Sequence, residues 1–170
     1  MYYKIAVEVT KRRLEALESL LKKIETQAHE KSMSDTDILG LRLAPDMYPL
    51  VKQVQIVTDN AKGAASRLAG KDIPSYEDTE STFAELYARL EKTISYLDTF
   101  TPADFEAAAN KEIELVYFKG LHFTGEGYLL QYHIPNLMFH VTTVYAICRT
   151  HGFQIGKADF MDGLPLIPNT

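Results

Sequence analysis

The chain has 170 residues, 18 Lys plus Arg against 23 Asp plus Glu, a net charge of −5, and an apolar content of 46%. That size supports one ordinary hydrophobic core, and the composition excludes wholesale disorder. The acidic balance argues against a nucleic-acid surface, which needs a basic face.

The N-terminus, MYYKIAVEVTKRR, has an apolar run too short for a signal-peptide core. A first helix is predicted from about Thr10 to Lys31. Its apolar residues Leu14, Leu17, Leu21, Ile24 and Ala28 recur at steps of three and four, which makes one stripe facing a core. Lys11, Arg12, Arg13, Lys22 and Lys23 fall mostly off that stripe and read as a solvated face. After a short link from Ser34 to Leu43, a second helix begins near Pro45 and Pro49 and ends at Gly70. Its stripe runs through Leu50, Val54, Val57, Ala61, Ala65 and Leu68. Ala61, Gly63, Ala64 and Ala65 keep one end thin enough for a close helix neighbour.

The polar segment Lys71 to Thr82 reads as a loop. Thr82 and Glu85 form a capping box that opens a third helix, running to about Leu97. Thr101-Pro102 starts a short helical turn. Alternation at Ile113, Leu115 and Tyr117 indicates a strand, and Leu121 to Phe123 can return as its partner after Lys119-Gly120. Such a hairpin must lie against the helices to be stable.

Thr124 caps a fourth, strongly apolar helix, in which Pro135 is expected to produce a kink or a break. Residues 127–148 carry no charge and are numerous enough to span a bilayer. Gln131, His133, Asn136, His140, Thr142 and Thr143 interrupt that run, so it reads as a core helix rather than a membrane span. Gly152 ends it, and the tail from Phe153 to Thr170 should wrap the surface. One domain covering 1–170 follows, with its core at about 3–163. The fold class is all-α: a four-helix bundle with a small β-hairpin before the last helix.

Bundles place cofactor sites on inward-facing polar residues of facing helices. Asn136, His140 and Thr143 form one row on the last helix, with Asn136 and His140 one turn apart. His140 is the candidate metal ligand or general base, although zinc sites use three or four strong donors and an amide is a poor one. Hydrogen bonding of a buried His140 to a neighbour is the simpler reading. On the second helix, Gln55 and Asp59 lie one turn apart on the flank, where Asp59 can reach His140 or link to Lys62. His151 suits the last helical turn, where a cationic ring meets the negative end of the dipole. His29, His122 and His133 carry no evident role. Cys148, the single cysteine, excludes an intrachain disulfide, fits a cytoplasmic setting and lies on an apolar stripe where a thiol is inert. Gly125-Glu126-Gly127 lacks the rest of any phosphate-binding motif.

Several stretches carry a family resemblance. They are Arg42-Leu43-Ala44-Pro45-Asp46-Met47, Gln53 to Asp59 with Lys62, Asn136 to Tyr145, and Arg149, Gly152, Gly156-Lys157 and Asp159-Phe160. Together they resemble an uncharacterised domain-of-unknown-function family within the DinB/YfiT-like superfamily, over about residues 3 to 163. The resemblance implies a DinB-like bundle that is often dimeric. It also implies relatives that are metalloenzymes or transfer low-molecular-weight thiols, using one His of the second helix and an HxxxH pair of the fourth. His140, twelve residues before Gly152, matches the second His of that pair. Asn136 replaces the first, and the second-helix ligand maps near Gln55. Two of three ligands are therefore exchanged. The expectation is a polar pocket lined by Gln55, Asp59, Asn136, His140 and Thr143, serving non-catalytic ligand binding or a homodimer scaffold. The alternative is a zinc- or nickel-dependent, thiol-transferase-like enzyme with an altered site. Neither nucleic acid nor membrane is expected as a partner; a small molecule is.

Overall fold

The computed structural model describes residues 1–168. A π-helical segment, Lys4–Val9, runs without interruption into helix α1, Thr10–Glu30. The predicted stripe of α1 is buried throughout, and Leu20 joins it. Helix α2, Asp35–Leu39, is a short addition opened by a reciprocal capping box between Ser34 and Asp37. Helix α3, Leu50–Ala69, starts at Pro49 as its N-cap and closes on Gly70, whose φ of 73° is the left-handed conformation that ends helices. Helix α4, Phe83–Leu97, begins at the Thr82–Glu85 capping box, with both of its hydrogen bonds present.

Two 3-10 turns, Pro102–Phe105 and Ala108–Asn110, lead to the hairpin. Strand β1, Glu112–Glu114, pairs antiparallel with β2, His122–Thr124, with Ile113 opposite Phe123. The strands are shorter than the alternation suggests. Leu115 to Leu121 fold instead into turns closed by Phe118 N–H on the Leu115 carbonyl and Leu121 N–H on the Phe118 carbonyl. A short turn of helix, α5, Gly125–Gly127, then docks on the 108–110 turn. A Cβ at position 125 would lie 1.7 Å from the Ala108 carbonyl oxygen, so a glycine is required for that approach.

The last long helix corrects the expectation of a break. A π-helical segment, Tyr128–His133, passes directly into α6, Ile134–Thr150, with Pro135 as its second residue. The i→i+5 closure of a π turn displaces the hydrogen-bond ladder by one residue, so the missing proline N–H falls where the ladder already changes register. After Gly152 the tail wraps α1, as expected: Phe153 and Ile155 are buried, and helix α7, Lys157–Phe160, is tied down by Arg13 donating to the Phe160 carbonyl and by Lys23 on Asp159. Residues 169 and 170 of that tail lie outside the described residues.

Helices α1, α3, α4 and α6 form the bundle. α3 is its inner member, packed against α6 on one side and α4 on the other, while α1 packs on α4. One continuous core joins all four. Among the described residues, no helix is long and apolar enough to cross a membrane.

Candidate functional site

The seam between α3 and α6 carries polar residues at a regular interval. Gln53, Asn60 and Arg67 lie seven apart on α3, so they repeat on one face every two turns. His140 and His133, also seven apart, face the first two.

The first rung is Gln53 with His140. Gln53 Nε2 donates to the Tyr48 carbonyl at 3.0 Å, which fixes the amide orientation and aims Oε1 at the ring. His140 Nδ1 then donates to Gln53 Oε1 at 2.6 Å. Nδ1 therefore carries the proton, and Nε2 keeps its lone pair. Burial holds the His140 pKa below its ordinary value, so the ring is neutral near pH 7.

The second rung is deeper. His133, fully buried, has Nδ1 at 2.6 Å from Asn60 Oδ1 and Nε2 at 3.0 Å from Thr10 Oγ1. Burial pushes its pKa down to about 4, so this ring too is neutral. The Thr10 hydroxyl donates to the Ile5 carbonyl at 2.9 Å, beside the Thr10 backbone N–H on the same oxygen, and its oxygen meets His133 Nε2. The rung joins the first residue of α1 to α3 through the last residue of the π segment Tyr128–His133. In the third rung, Arg67 Nη1 donates to Tyr128 Oη at 3.3 Å.

Alongside this ladder runs a cleft of about 620 Å³. His140, Asn136 and Asp59 line it toward one end, and Arg67, Tyr128 and Tyr132 toward the other. Leu115, Tyr117 and Phe118, from the turns beyond β1, form its outer wall. Tyr128 and Tyr132 stack with ring centroids 5.6 Å apart.

The residues anticipated from sequence divide between different surroundings. His140 and Asn136 stand on the cleft wall, and Asn136 makes no side-chain hydrogen bond among the described residues. Asp59 reaches the cleft edge, but its carboxylate is held by Lys62 at 2.9 Å and Arg89 at 3.1 Å. Gln55 does not line the cleft: it donates to Glu80 at 2.8 Å on the α4 side of α3. Two residues along a helix correspond to about 200°, so Gln53 and Gln55 face opposite neighbours. Thr143 also departs from the expected row. Its hydroxyl donates to the Phe139 carbonyl at 2.7 Å, and it borders a shallow groove with Leu43, Pro135 and Phe139. His151 Nδ1 donates to the Ile147 carbonyl at 2.8 Å, as its place in the last turn requires. Cys148 is buried and its thiol is pushed up to about 12, which leaves it unreactive.

Two features were not anticipated. His133 had no assigned role; the seven-residue spacing from His140, matched by Gln53 and Asn60, was its available signal. The second is Arg89, whose side chain is only 2% exposed. It donates to Thr58 at 2.7 Å and to the Glu77 carbonyl at 3.0 Å, and pairs with Asp59, Asp78 and Glu80. Asp78 and Glu80, in the polar loop between α3 and α4, meet this cation.

The cleft does not fit the metal implied by the resemblance. It offers one imidazole, an amide and a carboxylate already paired with two cations, whereas zinc needs three or four free strong donors. The metal-capable trio among the described residues is elsewhere. Glu25 and His29 on α1, with Asp35 of α2, bring one ligand atom each to within 4.8 Å of one another. Glu25 also accepts from Tyr87 at 2.8 Å, and Asp35 from the Phe83 N–H at 3.0 Å.

No curated protein matches the chain. The crystal structure of a DinB family member protein from Shewanella denitrificans superposes with a TM-score of 0.94 at 36% identity, covering 98% of this chain and 95% of that one. The family model described as "Domain of unknown function (DUF1993)" matches residues 2–161. Bundle, hairpin and nearly the whole length agree, and the chain belongs to the DUF1993 family, with a DinB-like fold.

Proposed function

We propose that this protein binds a small molecule in the α3–α6 cleft without a metal at His140. The supporting observation is the Gln53–His140 pair. The ring is neutral, its tautomer is set by an oriented amide, and Nε2 is an acceptor beside the unengaged amide of Asn136. An acceptor and an amide one turn apart on a cleft wall suit a ligand that presents both a donor and an acceptor. The same imidazole has the protonation state of a general base. Turnover of a bound compound that disappears in His140→Gln, with binding retained, would extend the reading to catalysis.

A fragment screen by nuclear magnetic resonance tests the reading. Hits should shift Gln53, Asn136 and His140 together, and His140→Ala should abolish those shifts. Hits confined to other surfaces, or none at all, would remove it. Zinc or nickel titration belongs in the same experiment. A divalent ion is expected to perturb Glu25, His29 and Asp35 and to leave the His140 resonances in place; strong shifts at His140 would restore the metal reading. The homodimer has its candidate face along the outer side of α6, where Leu43 and Phe139 are exposed. Sedimentation of the wild type beside Phe139→Glu checks it, and a monomeric wild type removes it.

A further inference from the structure

At the Arg67 end the cleft holds a positive charge that no carboxylate among the described residues pairs with. Lys52, on the same cleft, is paired with Asp78, and the buried Arg89 has three carboxylates. Arg67 has none among the described residues. Its side-chain hydrogen bond goes to Tyr128 Oη at 3.3 Å, and its guanidinium carbon lies 6.0 Å from the Tyr128 ring centroid. A guanidinium keeps its charge at any ordinary pH. Held half-buried without a counter-ion, it favours the arrival of an anion.

Two neighbours shape what that anion is attached to. Position 63, one turn before Arg67, is a glycine in the middle of a helix. A Cβ there would lie 2.4 Å from Arg67 Nη1, so the missing side chain is the space in which the guanidinium lies. The flat surface beside it is aromatic. Tyr132 stacks on Tyr128 at 19° between planes, and Phe118 stands edge-on to Tyr132 with centroids 6.3 Å apart.

We propose that the Arg67 end of the cleft recognises the carboxylate of a small aromatic acid. This rests on the binding reading above and names its ligand class. The planar fork of Arg67 takes both carboxylate oxygens, and Tyr132 and Phe118 take the ring. Arg67 determines the preference for acid over neutral analogue.

The test uses three probes on the whole chain: 3-phenylpropionate, its uncharged amide, and butyrate, which has the carboxylate without the ring. Ten tyrosines and no tryptophan make tyrosine fluorescence a direct readout, with amide resonances to locate the site. The acid should bind at least tenfold more tightly than either control. Arg67→Gln should abolish that preference with the melting temperature unchanged. Gly63→Ala, which crowds the guanidinium, should reduce it several-fold. Equal binding of acid and amide at the cleft would overturn this proposal and leave the binding reading standing. The absence of any cleft shift with all three probes would overturn this proposal, and the fragment screen decides the binding reading by itself. Should Arg67→Gln fail to fold, Arg67→Lys keeps the charge and loses the fork, and retention of the full preference there would overturn the assignment.

Discussion

A fully buried imidazole loses the water that stabilises its cation, and His133 records the result. Its folded pKa of about 4 lies below the ordinary 6.5. Between those values the unfolded chain binds a proton that the folded chain refuses. The contribution is therefore fully present above pH 6.5 and is lost as the pH falls toward 4, by roughly 3 kcal/mol in all. His140 is shifted in the same direction and adds to the slope. The lowered carboxylates act further down; Asp104, at about 2, contributes its loss mainly below this window. Urea unfolding from pH 7 to pH 4.5 should show stability falling, and His133→Gln should flatten the dependence even though it costs stability at pH 7. Parallel curves for the two proteins would contradict the assignment. Sequence alone does not single out His133, because a histidine in an apolar run looks the same whether or not an Asn and a Thr from other helices lie within reach.

Elements are held to one another by side chains that bridge them, and Arg89 is the clearest case. From α4 it fastens Thr58 and Asp59 of α3 and residues 77–80 of the intervening loop. Removing it leaves the part-buried Glu80 without a cation and Asp59 and Asp78 with only Lys62 and Lys52. Arg89→Ala is expected to destabilise by about 3 kcal/mol, because breaking a buried pair on one side strands the other. Arg89→Lys should recover less than half of that, since an ammonium cannot serve the five oxygens that the planar guanidinium reaches. Urea midpoints measure both, and a loss below 1 kcal/mol for Arg89→Ala would show the clamp to be incidental. The starts and stops of α1, α3 and α4 were legible from local chemistry: the stripe of α1, Gly70, and the Thr82–Glu85 box. Pro135 does not break the last helix. Its effect depends on the hydrogen-bond register before it, and the π segment that absorbs the missing donor has no simple sequence signature.

One core runs through all four long helices, the hairpin and the tail as far as Ile155. Unfolding should therefore be a single cooperative transition with a heat-capacity increment of about 2 to 2.5 kcal/mol/K, the value usual for this length. Calorimetric and van't Hoff enthalpies should agree, and two resolved transitions would contradict a single domain. The sequence by itself determined the architecture. Apolar residues at helical spacing, capping boxes and helix-ending glycines are local patterns, and burying four such stripes has few solutions in so short a chain. It also determined that His140 belongs to the interior. Which helix each polar residue faces was decided only in three dimensions. Because α3 lies between two neighbours, both of its polar flanks are inside the protein, and periodicity cannot say which flank meets α6. Tertiary packing gave Gln53 to His140 and Gln55 to Glu80, sent the charge of Asp59 to Arg89, and left Arg67 beside the cleft with no carboxylate partner among the described residues.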